Sequence, residues 1–283
     1  MSIVLGAVAY DSKVVTIWTG FRNWLSRQGM PIEVVLYLNY EHQVEDLAAG
    51  RIDVAWNSPL AWTRTRRLAA ATGRTVRPLV MRDTDQDLAS VVVVRDDGPY
   101  RSLADLKGET VAVGAVDSPQ ATLIPLAFLA REGLNPGAEL TVRRFDVGVG
   151  LHGDHIGGER DAARALLTGE VAAACLLDAT HLLLTKEGTL PPGSTRVLGR
   201  TEPFDHCVLT ATGAAPTGAA DRLAALLLSM SYGDPEVRPL LDLEGLREWR
   251  PGRTEGFGQI EDAVDALRFY SRDGAVLERD YRP

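Results

Sequence analysis

The chain has 283 residues, of which 45% are hydrophobic and 24% are charged, a composition typical of a folded protein rather than a disordered one. Its length suits two compact lobes better than a single core. The formal net charge of -8 excludes a general nucleic-acid surface, because phosphate contacts require clustered cationic side chains. The tight basic group Arg64, Arg66 and Arg67 has the spacing of a solvated outer helix face.

The first ten residues bear on localisation. Met1 and Ser2 lead directly into IVLGAVAY, which predicts a buried strand over Ile3–Ala9, and no basic leader or signal-peptide core precedes it. No apolar run reaches the roughly 18 residues that a membrane span needs. We therefore expect a cytoplasmic protein without a transmembrane segment. A periplasmic or extracellular location is the alternative if an export signal was trimmed.

Strands and helices alternate in the rest of the first half. The predicted elements are a helix over Val14–Gln28, a strand over Ile32–Leu38, a helix over Glu41–Ala49 ending at Gly50, a strand over Ile52–Trp56 and a helix over Pro59–Ala71. Such alternation favours parallel strands joined by crossover helices.

The second half continues the pattern with more irregular connections. The predicted elements are strands over Leu88–Asp97, Thr110–Val113, Leu140–Phe145, Val171–Leu177 and His206–Ala211, helices over Ser102–Leu106, Ala121–Glu132 and Asp161–Leu167, a glycine-containing loop over Asp146–Gly158, and a mainly helical tail from Ala219. The phrases LAAGRIDVAW and LLTGEVAAACL each join a helix end, a glycine and a buried strand, which predicts one similar unit in each of two lobes.

These phrases occur in a characteristic order. After LGAVAY come AAGRIDVAWNSPLAW, then SVVVVRDDGPYRSLADLKGETVAVGAVDSPQATLIPLAFLAREGL, then ALLTGEVAAACL and EPFDHCVLTA. In this order the chain resembles the phosphonate-type branch of the type 2 periplasmic binding proteins over roughly residues 3 to 250.

The resemblance implies an α/β protein of two lobes, each a mixed, mostly parallel sheet flanked by helices. Lobe one would comprise residues 1–86 and 208–283, and lobe two residues 87–207. The ligand would lie in a cleft between the lobes at the carboxyl ends of strands, and closure would be a hinge motion.

Helix starts are candidate ligand contacts, because they carry backbone N–H groups without helical partners. Asn57 and Ser58 can cap one helix and Ser118 another, each before a proline. The resemblance matches Ser118 and Thr122 to a hydroxyl-rich loop that cradles the ligand's anionic head. Gln120 departs from that pattern, so a carboxylate or a neutral polar ligand stays as open as a phosphonate.

Residues near strand ends complete the predicted ligand set. Tyr10, Tyr40 and Trp56 follow or end predicted strands, with packing as the alternative role for each. By resemblance Asp205 matches an acidic position that meets an amine on the ligand, and Asp178 is a second acidic candidate. Hinge hydrogen bonds are the alternative for both.

The loop GLHGDHIGGERD carries His152, Asp154, His155 and Glu159 within eight residues. It could bind the ligand, mainly through His155 and Glu159, or simply be exposed. An acid–base site with one histidine oriented by a carboxylate is a second interpretation, and a metal site is a third, although no distant ligand is evident.

Two functions are compatible with these features. The first is a solute-binding protein that closes on a small polar or anionic ligand of the phosphonate, phosphate-ester or carboxylate class. It would deliver the ligand to an ABC-transporter permease if exported. The second is a cytoplasmic decarboxylase, lyase or dehydratase using His155 and Asp205 as acid–base groups. We assign no cofactor, metal or nucleic-acid partner.

Cys175 and Cys207 are expected to be buried thiols, and Cys207 is not expected to pair with His206, because neighbours on a strand point to opposite faces.

Overall fold

The computed structural model describes residues 2–154 and 157–283, which form two compact units. Unit 1 comprises residues 1–86, 205–257 and 270–276, and unit 2 comprises residues 87–204, 258–269 and 277–283. Across the described ranges, no helix combines the length and the apolar character needed to cross a bilayer.

Unit 1 is built on a six-stranded sheet. Its strands are β1 (Ile3–Val8), β2 (Ile32–Tyr37), β3 (Val54–Asn57), β4 (Val76–Arg82), β10 (Val208–Thr212) and β11 (Trp249–Pro251), in the spatial order β11-β4-β10-β3-β1-β2. Its helices are α1 (Lys13–Arg27), α2 (Tyr40–Ala49), α3 (Pro59–Ala71), α7 (Thr217–Leu228) and α8 (Arg238–Glu244). β1 pairs in parallel with β2 and β3, whereas β10 runs antiparallel to both β3 and β4.

Aromatic side chains occupy the centre of the unit 1 core. Trp18, Phe21 and Trp24 lie on one face of α1, as the helical spacing predicts, and are buried. The rings of Trp18, Trp56 and Trp249 form a chain of edge-on contacts with centroid separations of 6.5 and 5.6 Å. Helix α1 is therefore fixed to the sheet through its tryptophans.

The prediction that Arg64 lies on a solvated face is wrong. Its side chain is 8% exposed and pairs with Glu41, and its Nη2 lies 2.9 Å from a carboxylate oxygen of Glu45. Its Nε donates to the carbonyl of Gly274, which ties residues 270–276 to α3. Helical spacing could not reveal this because the carbonyl partner comes from 210 residues further along the chain.

Unit 2 contains a five-stranded sheet. Its strands are β5 (Ser90–Arg95), β6 (Thr110–Val113), β7 (Thr141–Arg144), β8 (Ala173–Leu177) and β9 (Thr195–Arg200), in the order β7-β6-β8-β5-β9. Its helices are α4 (Ile124–Arg131), α5 (Gly157–Leu167), α6 (Asp178–Lys186) and α9 (Gly258–Ala266), and a π-helical turn over Pro119–Leu123 leads into α4. β6 pairs in parallel with β7 and β8, and β5 runs antiparallel to β8 and β9.

Two apolar layers cover the faces of this sheet. One layer joins β5, β6 and β8 to α5 through residues such as Val93, Leu166 and Leu176, and the other joins them to α4 through Val92 and Leu129. Leu267, which follows α9, packs against the second layer. The expected first lobe contained the entire tail, whereas residues 258–269 and 277–283 belong to unit 2, because α9 packs on α4.

The fold-class prediction is confirmed: both units are α/β, with helices flanking a mixed sheet. Most strands of each sheet run in one direction, and one or two reversed strands make the sheets mixed. The chain passes from one unit to the other five times, and the reversed strands β5 and β10 follow the first two of these crossings, at residues 86–87 and 204–205.

Candidate functional site

In unit 2, the predicted helix start at Ser118 has the expected geometry. The Ser118 hydroxyl accepts a hydrogen bond from the backbone N–H of Ala121 at 3.2 Å, and Pro119 occupies the first position of the turn. Ser118, Gln120 and Thr122 are all buried. Three polar side chains thus lie within one turn that follows the carboxyl end of β6.

The glycine-rich loop closes over this turn. The side-chain amide of Gln120 donates to the carbonyl oxygen of Gly153 at 2.8 Å. Gly153 has a φ of +75°, and a Cβ at this position would lie 2.7 Å from Nε2 of Gln120 and 3.0 Å from Cβ of Ser118. Gly153 is therefore required both by its backbone conformation and by the closeness of the two segments.

Asp117 connects the same two segments and was missed by the sequence analysis. It is fully buried, and one carboxylate oxygen accepts hydrogen bonds from the backbone N–H groups of Gly150, at 2.7 Å, and His152, at 3.1 Å. Burial raises the pKa of its carboxyl group, although His152 and the backbone donors oppose the change. Its position directly before Ser118 was the signal that could have identified it.

His152, which belongs to this loop, is buried. Its backbone has a φ of +50°, which a non-glycine residue adopts only where its surroundings hold it. Its Nε2 lies 3.2 Å from the hydroxyl oxygen of Tyr281, close to the end of the chain. Asp154 comes two residues after it, whereas His155 lies outside the described residues.

Other predicted residues of unit 2 have contacts of their own. The Glu159 carboxylate accepts a hydrogen bond from the backbone N–H of Leu177 at 2.8 Å, which links α5 to the end of β8. Asp178 opens α6 and forms an ion pair with Arg200 at 2.6 Å. Thr122 borders a cavity of about 280 Å³ beside β7. Ser118, Gln120 and the loop are thus gathered into one cluster, while Asp178 is engaged with β9.

In unit 1, Asn57 and Ser58 stand where β3 passes into α3. The Ser58 hydroxyl caps α3 by accepting from the N–H of Ala61 at 3.1 Å. Asn57 is fully buried. Its side-chain oxygen accepts a hydrogen bond from the amide of Gln43, and its side-chain NH₂ donates to the hydroxyl of Thr65. Asn57 therefore positions α2 relative to β3 and α3.

The three aromatic candidates differ in burial. Tyr40 begins α2 and is 1% exposed, and Trp56 lies in the tryptophan chain of the core with Arg82 above its ring. Tyr10 is partly buried after β1, with the ammonium of Lys13 5.6 Å from its ring centroid. Tyr10 is thus the most accessible of the three.

The Asp205 carboxylate pairs with an arginine of its own unit. Both oxygens accept from the guanidinium of Arg253 at 2.6 Å, and its backbone N–H donates to the carbonyl of Gly256. The chain itself therefore supplies a cation to the carboxylate that the resemblance assigned to a ligand amine.

The side chains of His206 and Cys207 are in contact, so the expectation that these two residues do not pair is wrong. Nδ1 of His206 lies 3.1 Å from the sulfur of Cys207 and 3.6 Å from Oδ1 of Asp85. Both residues precede β10, so the alternation of side chains along a strand does not apply to them. The guanidinium of Arg82 binds both oxygens of Asp85. Although burial opposes it, the attraction of Arg82 lowers the pKa of Asp85 to about 2.

Several solved structures share the fold of this chain. The chain superimposes with a TM-score of 0.69 on PhnD1 from Prochlorococcus marinus in complex with methylphosphonate, covering 94% of this chain and 98% of that one at 17% identity. XAC2383 from Xanthomonas citri bound to ATP gives a TM-score of 0.72 at 19% identity, with the same coverages. The aliphatic sulphonate binding protein SsuA from Escherichia coli gives 0.57 at 18% identity, covering 94% and 92%. The fold is that of the type 2 periplasmic binding proteins.

Sequence comparison narrows this class. Residues 5–257 match the family described as "ABC transporter, phosphonate, periplasmic substrate-binding protein", and the chain belongs to that family. It is also 25% identical over 205 residues to the "Phosphate-import protein PhnD" of Mycolicibacterium smegmatis, covering 70% of this chain and 61% of that protein. The chain therefore spans less than two thirds of that relative. The family resemblance seen in the sequence is confirmed, whereas the cytoplasmic and lyase expectations find no support.

Proposed function

We propose that this chain is the substrate-binding component of an ABC transporter, and that its ligand is a small oxyanion of the phosphonate or phosphate-ester class. Family membership supports this proposal, and so does the polar turn at Ser118. We also propose that it acts outside the cytoplasmic membrane, in the periplasm or at the cell surface, and passes its ligand to a permease.

The turn at Ser118 carries the ligand assignment. It places a hydroxyl, an amide side chain and the positive end of the π–α helix in one buried cluster, and such helix starts favour anions. Asp117 lies directly before this turn, and burial raises the pKa of its carboxyl group. The turn is thus suited to a small anion, and family membership favours a phosphonate or phosphate ester over a carboxylate.

The enzyme alternative receives no comparable support. Asp205 is held by two hydrogen bonds from Arg253, an arrangement that suits a structural ion pair more than a general acid or base. His155, the second group of that hypothesis, lies outside the described residues. We therefore do not propose a chemical step.

Calorimetric titration with methylphosphonate, phosphate, ethanesulfonate and acetate tests the proposed function. We expect methylphosphonate or phosphate to bind most tightly, and ligand at a hundredfold excess over Kd to stabilise the fold by about 2.7 kcal/mol. Ser118→Ala should weaken binding by about tenfold or more, since it removes a hydroxyl from the turn. Ser102→Ala is the matched control, because it removes an exposed cap in the same unit.

Two outcomes would contradict the proposal. One is equal binding by wild type and Ser118→Ala, and the other is no detectable heat or thermal stabilisation with any of the four anions. Mass spectrometry of the bound ligand after incubation separates a receptor from an enzyme, because a receptor returns it unchanged.

A further inference from the structure

We propose that Asp85, His206 and Cys207 in unit 1 form a binding site for a divalent metal ion of the zinc class. One potential ligand atom from each of the three residues lies within 4.8 Å of the other two. The residues are 2%, 8% and 2% exposed. Sequence spacing gave no sign of this site, because Asp85 comes about 120 residues before the other two.

The two donor-atom separations from His206 are close to those around a tetrahedral ion. Zinc bonds of about 2.0–2.3 Å to nitrogen, oxygen and sulfur place neighbouring ligand atoms about 3.3–3.6 Å apart. Nδ1 of His206 lies 3.1 Å from the sulfur of Cys207 and 3.6 Å from Oδ1 of Asp85. Both separations from His206 are thus within a few tenths of an ångström of metal-bound distances, and the Asp85 and Cys207 donor atoms lie within 4.8 Å of each other.

The backbone holds the two contributing segments together. The N–H of His206 donates to the carbonyl oxygen of Asp85 at 2.7 Å, and Asp85 ends a short 3-10 turn over Asp83–Asp85. Cys207 directly precedes β10. The ligands therefore come from a paired backbone and not from mobile loops, so little conformational entropy is lost on binding.

The charges around the three residues can balance a dication. Arg82 binds both oxygens of Asp85 and also contacts a carboxylate oxygen of Glu244 at 3.3 Å. When the thiol of Cys207 loses its proton to solvent on metal binding, one thiolate and the carboxylates of Asp85 and Glu244 offset Arg82 and the dication. Arg82 would act as the outer hydrogen-bond donor that orients a metal-binding carboxylate.

The position in the chain indicates what such an ion would do. Asp85 lies next to the end of one segment of unit 1 at Gln86, and His206 next to the start of another at Asp205. An ion bound by both would fix these segments to each other where the chain leaves and re-enters unit 1. This inference does not depend on the proposed ligand.

Titration of the reduced, metal-free protein with Co²⁺ in the absence of oxygen tests the site. We expect a near-ultraviolet thiolate-to-cobalt charge-transfer band together with the intense visible bands of tetrahedral Co²⁺, both abolished by Zn²⁺. Cys207→Ser should lose the charge-transfer band, and His206→Ala should weaken cobalt binding by about tenfold or more. Cys175→Ser is the matched control, because it removes the other buried thiol and should leave the spectrum unchanged.

A second measurement uses the wild-type chain and so does not depend on the folding of a variant. Zn²⁺ should protect Cys207, but not Cys175, from alkylation in mild urea, as located by peptide mass spectrometry. Wild-type protein without a cobalt charge-transfer band would overturn the proposal. So would a band that persists in folded Cys207→Ser, or equal alkylation of Cys207 with and without Zn²⁺.

Discussion

Each unit buries an aspartate close to a histidine, but the two carboxylates are stabilised differently. Asp85 in unit 1 receives both nitrogen donors of an arginine, whereas Asp117 in unit 2 receives two backbone N–H groups. The pKa of Asp85 falls to about 2, and that of Asp117 rises because burial outweighs its donors. The arginine pair compensates Asp85 for the loss of hydration, whereas His152 and the backbone donors together do not compensate Asp117.

The two groups therefore affect stability with opposite signs as pH changes. Asp85 has a folded pKa below its usual 3.8, so its contribution is complete above that pH and is lost as pH falls toward 2. Asp117 has a folded pKa above 3.8, so its contribution is present below that pH and is lost as pH rises through the folded pKa.

Arg82→Met removes the cation that stabilises Asp85 in unit 1, and it should cause the largest loss of unfolding free energy among the three substitutions. It leaves the buried carboxylates of Asp85 and Glu244 without their cation, which we expect to cost about 3–5 kcal/mol at pH 7. Urea unfolding measures the loss. Arg250→Met is the matched control, because the ion pair of Arg250 with Glu248 is exposed and should contribute less than about 1 kcal/mol. A loss below about 1 kcal/mol in Arg82→Met would show that the charges are not buried together.

Gly153→Ala tests the cluster of unit 2 and should have an intermediate effect. The substitution combines a positive φ with a clash against Ser118 and Gln120, for an expected cost of about 2–3 kcal/mol. Gly188→Ala measures the cost of the positive φ without the clash, since Gly188 has a φ of +85° and open space around it. This substitution should cost about 1 kcal/mol. Equal losses of unfolding free energy in the two variants would mean that the loop does not lie over Ser118.

Asp117→Asn tests the pH dependence of stability in unit 2, and it should change the stability least of the three substitutions. Because ionised Asp117 is disfavoured by burial, the amide should make the protein slightly more stable at pH 7, and the gain should disappear below about pH 3.8. Thermal unfolding from pH 3 to pH 7 measures this trend. Asp97→Asn is the control, since Asp97 is exposed beside Arg95 and its pKa is lowered, so the trend should reverse. A gain at pH 7 that persists unchanged at pH 3 would contradict the assigned pKa direction.

Local patterns in the sequence determined much of the fold and part of the site. The apolar spacing of Trp18 and Phe21 predicted the buried face of α1, and the pairs Ser58–Pro59 and Ser118–Pro119 predicted two helix starts. These features depend on residues within one or two helical turns of each other, so neighbouring sequence contains the information.

Strands β4 and β9 and helix α6 were not predicted from the sequence. β4 contains Pro78 and two arginines, and β9 has no fully buried residue, so neither shows a clear two-residue period. Each becomes a strand because a neighbouring strand, β10 or β5, supplies its hydrogen-bond partners. The hydrogen bonds to neighbouring strands, and not the local sequence pattern, therefore determine that β4 and β9 are strands.

The sequence by itself determined the family, the α/β alternation and the polar turn at Ser118, because these are written in contiguous segments. Only the tertiary structure decided which charges meet: Arg64 with Glu41, Arg253 with Asp205, and Asp85 with His206 and Cys207. The partners in these groups come from segments far apart in the chain, and the periodicity of one segment reports its own burial but not the identity of its partner.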